Sequence, residues 1–143
     1  MLKRFSFWLW VAIAFQLLNA LAHSLSFIIT PVPANETERQ LLDLMSNYRM
    51  DMGAGFSRSM HQLFTALSAC FPLLFLLGAS NNIYVLKRRL DPSVIKGLLA
   101  IQLVIFGICF GLMVVLTFLP PIVMSGLVFV SLAAAFFLTP REN

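Results

Sequence analysis

Four stretches of this chain are each long and apolar enough to cross a bilayer, and nothing else in the sequence restricts the fold as strongly. They cover residues 5–30, 60–80, 93–119 and 121–138. A spanning helix needs about 20 mostly apolar residues. Inside hydrocarbon every backbone N–H and C=O must be satisfied within the protein, so segments of this kind become helices. Only 11% of the 143 residues are charged, against roughly 25% in an ordinary soluble domain. The mean hydropathy of +0.88 agrees. Four spans leave one sizeable loop and no room for a separate soluble domain. The expected fold is all-α: a four-helix transmembrane bundle, one integral membrane domain over residues 1–143, with a short amphipathic helix in the loop between spans one and two.

The punctuation between the runs is specific. Pro31 and Pro33 turn the chain after span one. Asn35 with Glu38 three residues on reads as a capped helix start. Leu41, Leu44, Met45, Tyr48 and Met52 share one face, while Arg39, Asp43, Ser46 and Asn47 lie elsewhere around the wheel. The spacing predicts an amphipathic helix over residues 36–52, lying on the bilayer surface or capping the bundle mouth, and ended by Gly53 and Gly55. Ser59 and Gln62 form a second capping box at the start of span two. Pro72 falls inside that span and removes a backbone bond, which predicts a kink. Asn81 and Asn82 break the apolar pattern. Asp91-Pro92 starts span three, whose Gly107 and Gly111 permit close helix packing. Pro120-Pro121 turns the chain into span four.

Charge placement sets the expected topology. Lys3 and Arg4, Lys87 to Arg89 with Lys96, and Arg141 share one side. The loop between spans one and two carries four acidic and three basic residues and belongs on the other. By the positive-inside rule both termini are cytoplasmic, in agreement with an even number of spans. The start of the chain also resembles a secretory signal, with Lys3 and Arg4, an apolar core and Ala20-Leu21-Ala22. An uncleaved first span is expected instead, because the apolar run continues to Ile29 and Gln16 and Asn19 interrupt the core.

Polar groups inside the apolar runs mark the candidate site. Gln16, Asn19 and His23 fall on one helix face, and His61, Thr65 and Ser68 on another. If the two runs are antiparallel neighbours, His23 faces His61, Asn19 faces Thr65 and Gln16 faces Ser68. These six residues are the expected ligand-binding set, a polar seam descending from the outer surface. Polar side chains must face other helices rather than lipid. They serve there either as structural glue or as a site for a small apolar or amphipathic ligand.

The charge and motif content restricts function further. Basic residues cluster beside spans, so no nucleic acid is expected as a partner. No acidic residue lies within a span, no phosphate loop is present, and an enzyme is not expected. No cofactor and no metal are expected either. Two alternatives stay open: a metal- or haem-binding redox protein using His23 and His61, and a small transporter subunit. The expected partners are the lipid bilayer, a small ligand, and a membrane protein or a second copy of this chain.

Three stretches carry a resemblance. Asn35-Glu36-Thr37-Glu38-Arg39-Gln40-Leu41, Met52-Gly53-Ala54-Gly55-Phe56 and Ser59-Met60-His61-Gln62-Leu63-Phe64 resemble small uncharacterised bacterial four-span membrane proteins. The layout is also similar to DoxX-like four-helix proteins. The resemblance implies a bacterial plasma (inner) membrane location and brings no established activity and no catalytic residues with it; the binding or accessory role expected of the chain rests on the polar seam.

Overall fold

The computed structural model describes residues 2–88 and 90–139. The topology markers Arg89 and Arg141, the remaining end residues, and the side chains of Leu2 and Lys3 lie outside the described residues. The elements are α1 (Leu2–Leu25), α2 (Glu36–Asn47), β1 (Arg49–Asp51), β2 (Ser57–Ser59), α3 (Met60–Lys87), α4 (Pro92–Leu116) and α5 (Leu119–Leu138). Among the described residues α1, α3, α4 and α5 are long and apolar enough to cross a membrane, with spans of 22, 28, 25 and 20 residues. The all-α class and the four spans match the sequence expectation.

Local chemistry explains most boundaries. Asn35 Oδ1 accepts from the Glu38 N–H at 2.9 Å, while the Glu38 carboxylate reaches back to the Ala34 N–H at 2.7 Å. The Ser59–Gln62 box is reciprocal, with bonds of 3.3 and 3.1 Å. Asp91 caps α4 through the Ser93 N–H at 3.0 Å, and Pro92 occupies the first turn. Each cap satisfies donors that a helix start leaves orphaned.

Several ends differ from expectation. α1 stops at Leu25 because its last turn tightens. The Ser26 N–H and the Phe27 N–H donate to the carbonyls of His23 and Ser24, three residues back. The Ser26 hydroxyl donates to the His23 carbonyl as well, at 2.6 Å. α2 ends at Asn47 rather than at residue 52, and the chain continues into an antiparallel hairpin pairing Arg49 with Ser59. Gly53, Ala54 and Gly55 turn it with φ of +79°, +49° and +80°. Asp51 Oδ1 holds the turn by accepting from the Gly53 N–H at 2.8 Å. The two glycines therefore serve a hairpin rather than a helix end. α3 runs past both Asn81 and Asn82, and Pro72 lies within it without ending it. α4 stops at Leu116, where the Thr117 hydroxyl and N–H both reach the Met113 carbonyl. Pro120 and Pro121 sit inside the first turn of α5, where a helix needs no N–H.

The contacts divide the chain into two units. The first comprises the chain up to Ala20 and from Leu74 onward. Its core is built from Leu9, Ala12 and Ile13 of α1, Phe75 and Ala79 of α3, Leu99 and Phe106 of α4, and Val128, Leu132 and Ala135 of α5. α4 and α5 pack through a reciprocal pair. A β-carbon at Gly107 would lie 3.1 Å from the Phe129 ring, and one at Gly126 would lie 3.0 Å from Phe110. The two rings stack at 6.0 Å. Among the described residues nothing lies within 4 Å of such a β-carbon at Gly111, the other half of the expected small-residue pair. Phe7 and Trp10 are exposed, as suits side chains at a lipid boundary.

The second unit runs Leu21–Leu73. It holds the last turn of α1, the linker, α2, the hairpin and the first half of α3. α2 packs beside β2, and the hairpin leads directly into Met60.

Candidate functional site

In the first unit the polar residues close on one another. Gln16 and Asn82 are fully buried, and Gln102 is nearly so. Asn82 Nδ2 donates to Gln16 Oε1 at 3.0 Å and to Gln102 Oε1 at 3.1 Å. Gln102 Nε2 donates back to Asn82 Oδ1 at 2.8 Å, and Gln16 Nε2 donates to Gln102 Oε1 at 3.4 Å. Three helices are thus tied by three amides whose carbonyl oxygens all accept. Gly78 makes the space: a β-carbon there would lie 2.5 Å from Gln16 Nε2 and 2.9 Å from the Phe106 ring. Asn19 is also buried, and its amide donates to the Phe15 carbonyl at 2.8 Å and to the Met124 carbonyl of α5 at 3.2 Å.

These partners correct the expected pairing. Gln16 meets Asn82, fourteen residues further along α3 than Ser68. Within the second unit His23 packs against Phe71, ten residues beyond His61, at 5.0 Å between ring centroids. Both shifts run the same way, three to four turns at about 3.6 residues per turn. The cause is chemical. Amides satisfy each other across helices, whereas the Thr65 hydroxyl donates to the His61 carbonyl of its own helix at 2.9 Å and requires no cross-helix partner. Asn82, read from sequence as a breaker, is the residue that was missed. Its spacing of four from Gly78 was the available signal.

His23 lies between Phe71 and Phe27, the latter edge-on at 5.5 Å. Its Nε2 atom is buried with no hydrogen-bond partner among the described residues. His61 stands about 15 Å of helix away from Phe71, so the two imidazoles have no common coordination point. Among the described residues no three His, Cys, Asp or Glu side chains converge.

His61, Thr65 and Ser68 instead line a cavity of about 520 Å³ within the second unit. Further hydroxyls come from Ser26, Thr30 and Ser46, and an apolar wall from Phe27, Ile29, Pro31, Leu42 and Phe64. Among the described residues no Asp, Glu, Lys or Arg lines it. Three of the six expected residues therefore share a cavity, Gln16 belongs to the amide network of the first unit, Asn19 bonds to backbone carbonyls in that unit, and His23 braces the cavity wall through Phe27.

The charged groups of this unit lie on α2 and on the hairpin strands β1 and β2. Arg39 and Gln40 donate to the Glu36 carboxylate, and the guanidinium holds that carboxyl below its ordinary range; Glu36 in turn raises Arg39. No protein-family model, curated protein or solved structure matches this chain.

Proposed function

We propose that the chain is an integral membrane binding protein that holds an uncharged amphipathic small molecule in the His61 cavity. The observation that carries this reading is the lining. An imidazole and five hydroxyls supply hydrogen bonds at one set of positions, while aromatic and aliphatic groups supply the rest. The volume falls within the roughly 300–1,000 Å³ of small-molecule sites. A formal charge would find no counter-ion there, and burying an unpaired charge is costly. By the placement of Lys and Arg, the cavity opens on the side away from the cytoplasm and both termini are cytoplasmic. The setting is a bacterial plasma membrane.

The test is mass spectrometry of the protein purified in mild detergent, with His61→Ala and the cavity-filling Ser68→Leu beside the parent. A neutral lipid-soluble molecule retained by the parent should fall at least tenfold in both variants at unchanged helicity. Equal retention in all three proteins refutes the reading. Cysteines placed at Ala34 and at Arg88 test orientation; labelling of both from one side overturns it.

A further inference from the structure

We propose that α2 rides in the membrane interface, with Leu41, Leu44 and Tyr48 in contact with lipid. α2 carries three faces. Leu42 and Ser46, four apart, form part of the cavity wall. Glu36, Arg39, Gln40, Asp43 and Asn47 form a polar face. Leu41 and Leu44 form a third, continued by the C-cap residue Tyr48, and the three are 55%, 61% and 64% exposed. Three- and four-residue steps put those three side by side. Among the described residues this face stays more than half exposed.

Its depth is fixed by the chain. The C-terminal end of α2 is two residues from Arg49, and Arg49 pairs with Ser59, the residue before the membrane span that begins at Met60. The hairpin therefore pins α2 to the end of a span. On its other side, Ile28, Ile29 and Val32, the residues just past α1, are 79%, 69% and 89% exposed. The linker into α2 thus presents exposed apolar side chains of its own.

The polar face is suited to the same place. The Arg39 guanidinium pairs with Glu36 at 2.7 Å, Glu38 accepts from the Ala34 N–H, and Asn47 donates to Asp43 at 2.7 Å. The acids are satisfied by groups of the helix and its N-terminal cap and require no counter-charge from a partner. With three acids to one base, α2 gains nothing from anionic lipid, so apolar contact holds it. Tyr48 adds a ring with a polar tip, the side-chain type favoured at this depth.

The experiment is site-directed spin labelling of the full chain in phosphatidylcholine vesicles, with Cys70 and Cys109 replaced by Ser. Single cysteines go in at Leu41, Leu44, Gln40 and Asp43, and helicity is checked for each. The labels at Leu41 and Leu44 should collide several-fold more with oxygen than with a water-soluble nickel chelate, and those at Gln40 and Asp43 the reverse. Adding phosphatidylglycerol should leave the pattern unchanged. Equal nickel access at all four positions would place the face in water and overturn the proposal. Shielding of Leu44 from both reagents would mean a protein covers it, which also overturns the proposal. The readout requires no cavity ligand, so it stands or falls apart from the proposed function.

Discussion

Gly78→Ala is the sharpest probe of the amide network, because two effects of known size act in opposite directions. A glycine inside a helix costs about 1 kcal/mol relative to alanine, so the substitution should stabilise α3 wherever space is free. At Gly78 space is not free. The new methyl would sit 2.5 Å from Gln16 Nε2 and 2.9 Å from two atoms of the Phe106 ring. Ordinary contact lies near 3.5 Å or beyond, so the Gln16 amide must retreat by about 1 Å. Its bonds to Asn82 and Gln102, at 3.0 and 3.4 Å, then stretch past useful length. Two interhelical bonds at about 0.6 kcal/mol each, with overpacking of about 1–3 kcal/mol, exceed the helix gain. The net expectation is a loss of about 1–3 kcal/mol. Gly111→Ala is the control, since among the described residues nothing lies within 4 Å of its added carbon; it should be neutral or stabilising. Reversible unfolding in mixed detergent micelles measures both. The double variant Gln16→Ala with Gly78→Ala should lose less than the sum of its parts, because the clashing amide has gone. A Gly78→Ala protein as stable as Gly111→Ala would refute the packing described for Gln16.

Other outcomes follow from the same contacts. Asn82→Ala should cost about 1–3 kcal/mol, more than Asn81→Ala, since it strands buried amide groups on α1 and α4; matched unfolding curves check it. Ser59→Ala should cost about 1 kcal/mol, read in the same assay, by removing the reciprocal cap at the start of α3. The pH dependence of α2 has a defined sign. The Glu36 carboxyl is depressed by Arg39, so its contribution is present above the ordinary value of 4.5 and lost as pH falls below it through the lower folded value. Spin-label mobility on α2 should therefore rise on acidification, and high salt should weaken the effect because the pair is exposed.

What the sequence disclosed and what it hid divide by the range of the interaction. The caps at Asn35, Ser59 and Asp91 were legible because donor and acceptor lie within three residues of one another. The spans were legible because hydrocarbon demands about 20 apolar residues regardless of neighbours. The glycines at 53 and 55 were legible as a change of direction but not as a hairpin, since a helix stop and a strand turn draw on the same positive φ. The register between α1 and α3 was not legible. Matching polar residues at equal heights gives several alignments of similar quality. Choosing among them requires knowing which groups satisfy themselves: Thr65 and Ser125 bond to their own helices, whereas the amides of Gln16, Asn19, Asn82 and Gln102 bond across helices. Counting the donors and acceptors each side chain cannot satisfy locally would have set Asn82 opposite Gln16. It would also have released Thr65, whose hydroxyl bonds to its own helix, from any cross-helix partner, and Thr65 lines the cavity.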